Sequence, residues 1–291
     1  MSKNIRHILG PIWPALSARR KIFSGLNTTS SGEVNILLYH AIPEQNLLQF
    51  QKQIASLSSR YQFITPDQFH SFIDGELDLD GLHLLITFDD GFLSSKLAAE
   101  QVLNPHGIKA LFFVVVDYID SATTGNWQEF AHRNLFEGMG SREAIGPEYF
   151  PSSWKDLADL RDDGHSIASH GMSHAHLTKA EPRELARELG ESARVLQREL
   201  GVPVTDFAFP YGSLENISLD VMSAICETYQ YCYSGIRGRN RRNTLPMTIL
   251  RESISPADPV SYVNFQTENG LAPLYAKRAK ALLQMATDGA R

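Results

Sequence analysis

The chain has 291 residues, 27 Lys and Arg against 33 Asp and Glu, a net charge of −6 and 2 Cys. A hydrophobic fraction of 43% with 10% aromatics belongs to a folded chain, long enough for a sizeable core in one large α/β domain or two smaller ones. The acidic balance excludes a protein that wraps nucleic acid. Cys226 and Cys232 are too few for a disulfide framework or a structural zinc site and are expected to be buried or idle thiols.

No stretch approaches the ~18 consecutive apolar residues of a membrane-spanning helix. Residues 1–32 stand apart as a basic N-terminal arm: Lys3, Arg6, Arg19, Arg20 and Lys21 all precede the first acid, Glu33. Ile5, Ile8, Leu9, Ile12, Trp13 and Leu16 recur there at helical spacing, but Pro11, Pro14, Ser17 and Arg19 break the continuous apolar run that a secretory signal needs. The location expected is cytoplasmic. The arm reads more readily as a loose segment packed on the domain than as an amphipathic face in peripheral contact with an anionic membrane.

From Glu33 onward strands and helices alternate. Residues 34–39 form a strand and 46–59 a helix with Leu47, Phe50, Ile54 and Leu57 on one face. A short helix follows Thr65 and Pro66, a capping residue and a proline at the first helical position. Strand 82–88 ends in Asp89-Asp90-Gly91, and a helix runs on to about Pro105. Strand 110–116 leads into a long, partly helical surface insertion, 117–152. Helix 154–161, strand 165–169, an amphipathic helix 181–200 and strand 206–209 follow. A helix at 218–227, strands near 230–234 and 247–252 and a helix at 271–286 complete the chain. This order implies a largely parallel sheet wrapped by helices, either an incomplete barrel or an open doubly wound sheet. In both, function sits at the carboxyl ends of the strands.

Three of those ends carry chemistry. The first is Thr87-Phe88-Asp89-Asp90-Gly91. Adjacent buried carboxylates repel, and a fold keeps such a pair where a metal or a proton transfer uses it. Helix capping would account for one Asp, less easily for two followed by Gly. The second is His170-Gly171-Met172-Ser173-His174-Ala175-His176. On a helical turn His170 and His174 would share a face suited to a common metal, with His176 pointing elsewhere. Two His and one carboxylate leave open positions, as in a catalytic Zn²⁺ site or another divalent facial triad. The third, Phe209-Pro210-Tyr211-Gly212, is a turn that could aim a backbone N–H into the site.

Together these motifs, in this order, resemble the polysaccharide deacetylase family (NodB-homology, carbohydrate esterase family 4), over roughly residues 34–254. The resemblance implies an α/β fold of the distorted (β/α)7 barrel type in a catalytic domain spanning 33–291. It also implies metal-dependent removal of acetyl groups from a carbohydrate substrate. By position, Asp89 resembles the catalytic base, Asp90, His170 and His174 the metal ligands, and the Tyr211 N–H the oxyanion donor. Two departures follow. The family's C-terminal Leu-x-Leu-His segment is missing, because the last histidine is His176. Leu37-Leu38-Tyr39-His40 instead resembles the circularly permuted poly-N-acetylglucosamine deacetylases, which makes His40 the expected general acid; otherwise it is a strand-end His packed against the insertion. Ala208 stands where the family has an Arg that orients the base. Arg251 is the expected substitute, unless it is an ordinary surface ion pair. An N-deacetylase leads on these grounds. An O-acetyl esterase, a sugar-binding relative without turnover and a non-sugar amidohydrolase are the alternatives.

Overall fold

The computed structural model describes residues 32–138, 140–268 and 270–289. The rest of the basic arm lies outside the described residues, and its expected helical spacing is not addressed by them. Strands β1 (Glu33–Tyr39), β3 (Leu82–Phe88), β4 (Ala110–Val114), β5 (Ser166–Ser169), β6 (Asp206–Ala208) and β7 (Tyr231–Tyr233) run parallel in the spatial order β7-β6-β5-β4-β3-β1. The short β2 (Gln62–Phe63) pairs with β3, and β8 (Asn240–Arg241) lies antiparallel on the start of β1. The sheet curls back on itself: Ile249 bridges to Tyr233 of β7, and three residues later β9 (Glu252–Ser253) pairs with Leu37 and Leu38 of β1. The 249–253 segment thus links the two edges and gives the distorted (β/α)7 barrel rather than the open sheet.

Side chains alternate across a strand, so each strand has one face inside the barrel and one under the helices. Val34, Ile36, Leu85, Leu111, Phe113, Ala168, Ala208, Tyr231, Tyr233 and Ile249 form the inner cluster. Phe69, Phe72 and Ile73 of helix Pro66–Ile73 complete it from one end. That helix starts with the expected cap: the Gln68 N–H donates to Thr65 Oγ1 (3.2 Å), and the Thr65 N–H donates to Gln68 Oε1 (2.9 Å). The opposite faces (Leu37, Tyr39, Leu84, Ile86, Phe88, Phe112, Val114, Ile167, Phe207) pack under the helices in the larger cluster.

Three sequence expectations change. Residues 247–252 are not one strand: Pro246–Thr248 is a 3₁₀ turn, and the Leu250 and Arg251 N–H groups go to Asn240 Oδ1 and the Ile236 carbonyl instead of a ladder. Strand β4 stops at Val114, and Val116–Thr124 is already helical. The insertion is more than a surface feature, because its Tyr118, Ala131 and Ile145 bury a small core against Val115, Phe92 and Ala41. Among the described residues no helix is long and apolar enough to cross a membrane.

Candidate active site and metal centre

The alternation that builds the inner core also places the site. Carried past the strand ends, the inward parity of Leu85 and Thr87 reaches Asp89. By the same count Ala168 leads to His170, Ile36 and Leu38 to His40, and Ile249 to Arg251. A cavity of about 400 Å³ would suit a small ligand; the one here, ≈ 360 Å³, is lined by Asp89, Asp90, His170, His174, Tyr211 and Arg251, with His40, Leu135 and Phe209 at its walls. All the site residues expected from sequence therefore meet at one place.

Asp90, His170 and His174 are 6%, 2% and 7% exposed, so their polar atoms have little access to solvent. His170 Nε2 and His174 Nε2 lie 3.6 and 3.7 Å from Asp90 Oδ1. Each ring turns its other nitrogen to a carbonyl: His170 Nδ1 to Ala208 O and His174 Nδ1 to Asn134 O, both at 2.8 Å. A carbonyl only accepts, so each Nδ1 carries a proton, and Nε2 is the ring atom that can offer a lone pair to a cation. Burial, with His170 adding to it against the opposing pull of Asp90, pushes His174 down to about 4, which keeps that ring neutral. Two ring nitrogens turned toward one buried carboxylate make a candidate cation site. Donors each about 2.0–2.2 Å from a zinc ion are separated by at most about 4.3 Å, and the observed spacings fall inside that limit. The residues present therefore fit a divalent metal, and the N₂O donor set with positions left over fits a catalytic one.

The two histidines come together without the helical turn expected from their spacing. Residues 170–176 are a loop, with Gly171 at φ 87° and His174 at φ 63°. Its anchor is Glu188, fully buried, whose carboxylate accepts from the Met172 N–H (2.9 Å), the Ser173 N–H (3.0 Å) and the Ser173 hydroxyl (2.6 Å). A Cβ on Gly171 would come within 2.7 Å of Glu188 Oε2, so the loop passes too close for any larger residue. Sequence reasoning missed Glu188, although a signal existed. It lies three residues after Leu185 on the inward stripe of an amphipathic helix, where an acid needs partners. The carbonyl of Asn134, which fixes His174 and also accepts from the Tyr211 hydroxyl at 3.0 Å, has no side-chain signature at all.

Asp89 sits beside this group, 3% exposed, with Oδ2 3.8 Å from His170 Nε2. Arg251, 1% exposed, grips both its oxygens, Nη1 to Oδ1 at 2.7 Å and Nη2 to Oδ2 at 2.9 Å. The guanidinium also donates from Nε to the Ser234 carbonyl (2.9 Å) and lies 5.1 Å from the centre of the Phe113 ring. It is a buried ion pair, not a surface one. The small Ala208 belongs to the same inner cluster as Phe113. Burial alone would raise the Asp89 carboxyl, but the charge of Arg251, then His170, the Arg251 hydrogen bonds and His40 outweigh it and hold the group below the ordinary carboxylate range. His40 is exposed at the end of β1, which the Asp89 N–H joins through the Tyr39 carbonyl at 3.0 Å.

Tyr211 has φ 59° in a turn closed by the Gly212 N–H to the Phe209 carbonyl (3.1 Å) and the Gly235 N–H to the Gly212 carbonyl (2.8 Å). Neither bond uses the Tyr211 N–H. His176 is apart from the Asp90, His170 and His174 group, its ring stacked on Tyr211 at 4.0 Å and 4° and its nitrogens on Asn216 and Glu137. Cys226 and Cys232 are both held up as thiols by burial, Cys232 well above its ordinary value, and neither lines the cavity.

A family model described as polysaccharide deacetylase matches residues 78–227. The chain is similar to YxkH of Bacillus subtilis (strain 168), which carries a provisional polysaccharide deacetylase name, at 22% identity over 193 residues, 64% of this chain and 60% of that protein. It is also similar to chitin deacetylase 1 of Cryptococcus neoformans var. grubii, at 29% over 103 residues, 35% of this chain and 19% of that one. The chain thus spans less than two thirds of the length of both curated relatives. Among solved structures it resembles IcaB from Ammonifex degensii, with a TM-score of 0.63 and 20% identity, covering 82% of this chain and 98% of that one. Streptococcus pyogenes deacetylase PplD in complex with acetate gives a TM-score of 0.62 and 19% identity, covering 82% and 99%. At these identities the structural likeness is one of fold.

Proposed function

The chain belongs to the polysaccharide deacetylase family, and on that premise we propose that it is a metal-dependent hydrolase removing N-acetyl groups from an N-acetylated sugar, polysaccharide or glycolipid. The observation that carries this reading is the convergence of two tautomer-fixed histidines and one carboxylate beside a second carboxylate kept ionised by a buried arginine. Asp90, His170 and His174 would hold the divalent ion, best met by Zn²⁺. When bound, such an ion lowers the pKa of water and polarises an acyl carbonyl.

The chain's own groups divide the remaining work. Asp89 takes the proton of the attacking water, and Arg251 keeps it ionised and turned toward the site. The Tyr211 N–H donates to the oxygen that becomes negative as the carbonyl turns tetrahedral. His40 gives a proton to the amine nitrogen as the C–N bond breaks, since an amide anion is a poor leaving group. An ester needs less of that help, so the same site also suits O-acetyl groups. His40→Ala should cripple N-deacetylation while sparing metal binding and should affect an O-acetyl substrate less.

Acetate release from a panel of N- and O-acetylated oligosaccharides tests the reading, with chelator-treated protein, metal re-addition and Asp89→Asn as controls. Acetate from none of them, with metal bound, would favour a sugar-binding protein without turnover. Residues 1–32 enter only as a candidate peripheral contact with an anionic membrane. Equal liposome co-sedimentation of the full chain and of one starting at Glu33 removes that contact.

A further inference from the structure

The turn Phe209-Pro210-Tyr211-Gly212 is closed by the Gly212 N–H on the Phe209 carbonyl (3.1 Å), which makes Pro210 and Tyr211 its two central residues. Two turn types share that closing bond. They differ by a flip of the peptide joining the central residues, so they point the N–H of the second one in opposite directions. Pro210 suits either type. The type with negative φ at the second position accepts most residues, whereas the type with positive φ there favours Gly or Asn. Tyr211 nevertheless adopts φ 59°, a region that costs an L-residue about 1–2 kcal/mol. The peptide that the two types flip is the one that carries the Tyr211 N–H.

The contacts that grip the Tyr211 ring come from outside the turn. The His176 ring stacks flat on it, centroids 4.0 Å apart at 4°. His174 meets it at 4.6 Å and 56°, and its hydroxyl donates to the Asn134 carbonyl at 3.0 Å. His176 is pinned at both nitrogens, Nδ1 facing Asn216 Oδ1 (3.0 Å) and Nε2 facing Glu137 Oε2 (3.2 Å). The Asn216 amide is oriented in turn by donating from Nδ2 to Ser213 Oγ (3.0 Å). Glu137 is exposed, so Asn216 is the firmer tether. A flip to negative φ would move the Tyr211 nitrogen and tilt the Cα–Cβ bond with it. The far end of the ring would then leave the Asn134 carbonyl and the His176 face.

Resting on the deacetylase reading, we propose that His176 is a positioning residue for the oxyanion donor: its stacked ring, tethered by Asn216, holds Tyr211 in the positive-φ turn and so keeps the Tyr211 N–H turned into the cavity. The Tyr211 side chain is then a handle, and its main chain is the working part. Loss of the clamp lets the peptide flip, and the donor is lost at the point where charge develops on the carbonyl oxygen. Ground-state binding of the substrate does not depend on that donor, so the loss falls on kcat and not on KM.

The experiment is a double-mutant cycle on the zinc-loaded full chain, reading kcat and KM for acetate release from p-nitrophenyl acetate and from the β-1,4-linked N-acetylglucosamine tetramer. Glycine takes a positive φ freely, so Tyr211→Gly keeps the N–H in place with no ring to be held. Expected for His176→Ala in the wild-type background is a loss of at least about tenfold in kcat, part of the ~10²–10³ that a whole oxyanion donor supplies, with KM and zinc affinity within about twofold. In the Tyr211→Gly background the same substitution costs less than about threefold, because the interaction it removes is already gone. Where thermal melts show His176→Ala unfolded, Asn216→Ala loosens the same ring and is read in the same two backgrounds. An equal loss of kcat in both backgrounds, a rise in KM alone, or no change overturns the clamp and leaves the deacetylase reading standing. Wild-type protein that releases acetate from neither substrate overturns both.

Discussion

Replacing Arg251 with Met removes a guanidinium that makes two hydrogen bonds, of 2.7 and 2.9 Å, to a carboxylate only 3% exposed. It also leaves the Ser234 carbonyl without its Nε donor. Breaking a buried pair from one side costs about 3–5 kcal/mol, because the remaining charge is desolvated and uncompensated. With a urea m-value of about 3 kcal/mol/M, the unfolding midpoint of the chelator-treated protein should fall by about 1 M or more. Asp89 has a second way out, which is to take up a proton. In the wild type its lowered pKa means that the native state holds the proton less tightly than the unfolded chain. That contribution to stability is present above the unfolded carboxylate pKa and is lost as pH falls through the folded one. In Arg251→Met the burial that raises the group is opposed only by His170 and His40, so the carboxyl should rise as it loses a close opposite charge. The acid limb of the kcat/KM profile for acetate release should move up with it, while zinc affinity, measured by chelator competition, changes little. A variant as stable as wild type to within about 1 kcal/mol, with an unmoved acid limb, would refute the claim that Arg251 holds the base ionised.

Three further outcomes follow from the same geometry. Glu188→Gln puts an amide N–H₂ among donors that now share a carboxylate, and zinc affinity should drop about 10–100-fold with far-UV circular dichroism preserved; unchanged affinity would remove Glu188 as the anchor of the loop. Gly171→Ala combines a φ of 87° with a Cβ 2.7 Å from Glu188 Oε2, and should destabilise by about 2 kcal/mol or more in urea titration. In the metal-free protein His174 should titrate near 4 by ring NMR, with the Nδ1–H tautomer above that. Since an unfolded His binds its proton at about 6.5, this residue's contribution should be full above that pH and fall away as pH drops toward 4.

What the sequence made legible was whatever follows from alternation and short motifs. The strand cores and the Thr65 cap were readable because each depends on neighbours in the chain, as was the fact that Asp89, His170 and His40 stand at strand ends. The joining of the barrel edges by 249–253 was not, since Pro246 disrupts the strand pattern and the bridges to Tyr233 and to Leu37 are long-range. Arg251 could be named as a substitute for the missing Arg at Ala208, but an arginine side chain by itself does not distinguish a surface pair from a buried one. The insertion's part in the site was hidden for another reason. It contributes the Asn134 main-chain carbonyl, which every residue type possesses.

Backbone conformation explains what remains. Asp90, His174 and Tyr211 are all at positive φ (75°, 63° and 59°), a region costing an L-residue about 1–2 kcal/mol. Asp and His tolerate it better than most, while Tyr does not, so at Tyr211 the surrounding turn must impose it. The alternation that brings Asp89 inward would send Asp90 outward; the left-handed turn at Asp90 brings its carboxylate back to within 3.7 Å of both histidines. His174 likewise escapes the strand and helix periodicities that predict where a side chain points. The loop leading to His174 persists because long-range bonds over-determine it: the Val116 N–H to the Gly171 carbonyl (3.2 Å), the Asp117 N–H to the Met172 carbonyl (2.8 Å) and the Glu188 carboxylate beneath. The donor set is therefore assembled by strained backbone held from outside the motifs, and the anchors of that backbone, Glu188 first among them, should matter to metal binding nearly as much as the ligands themselves.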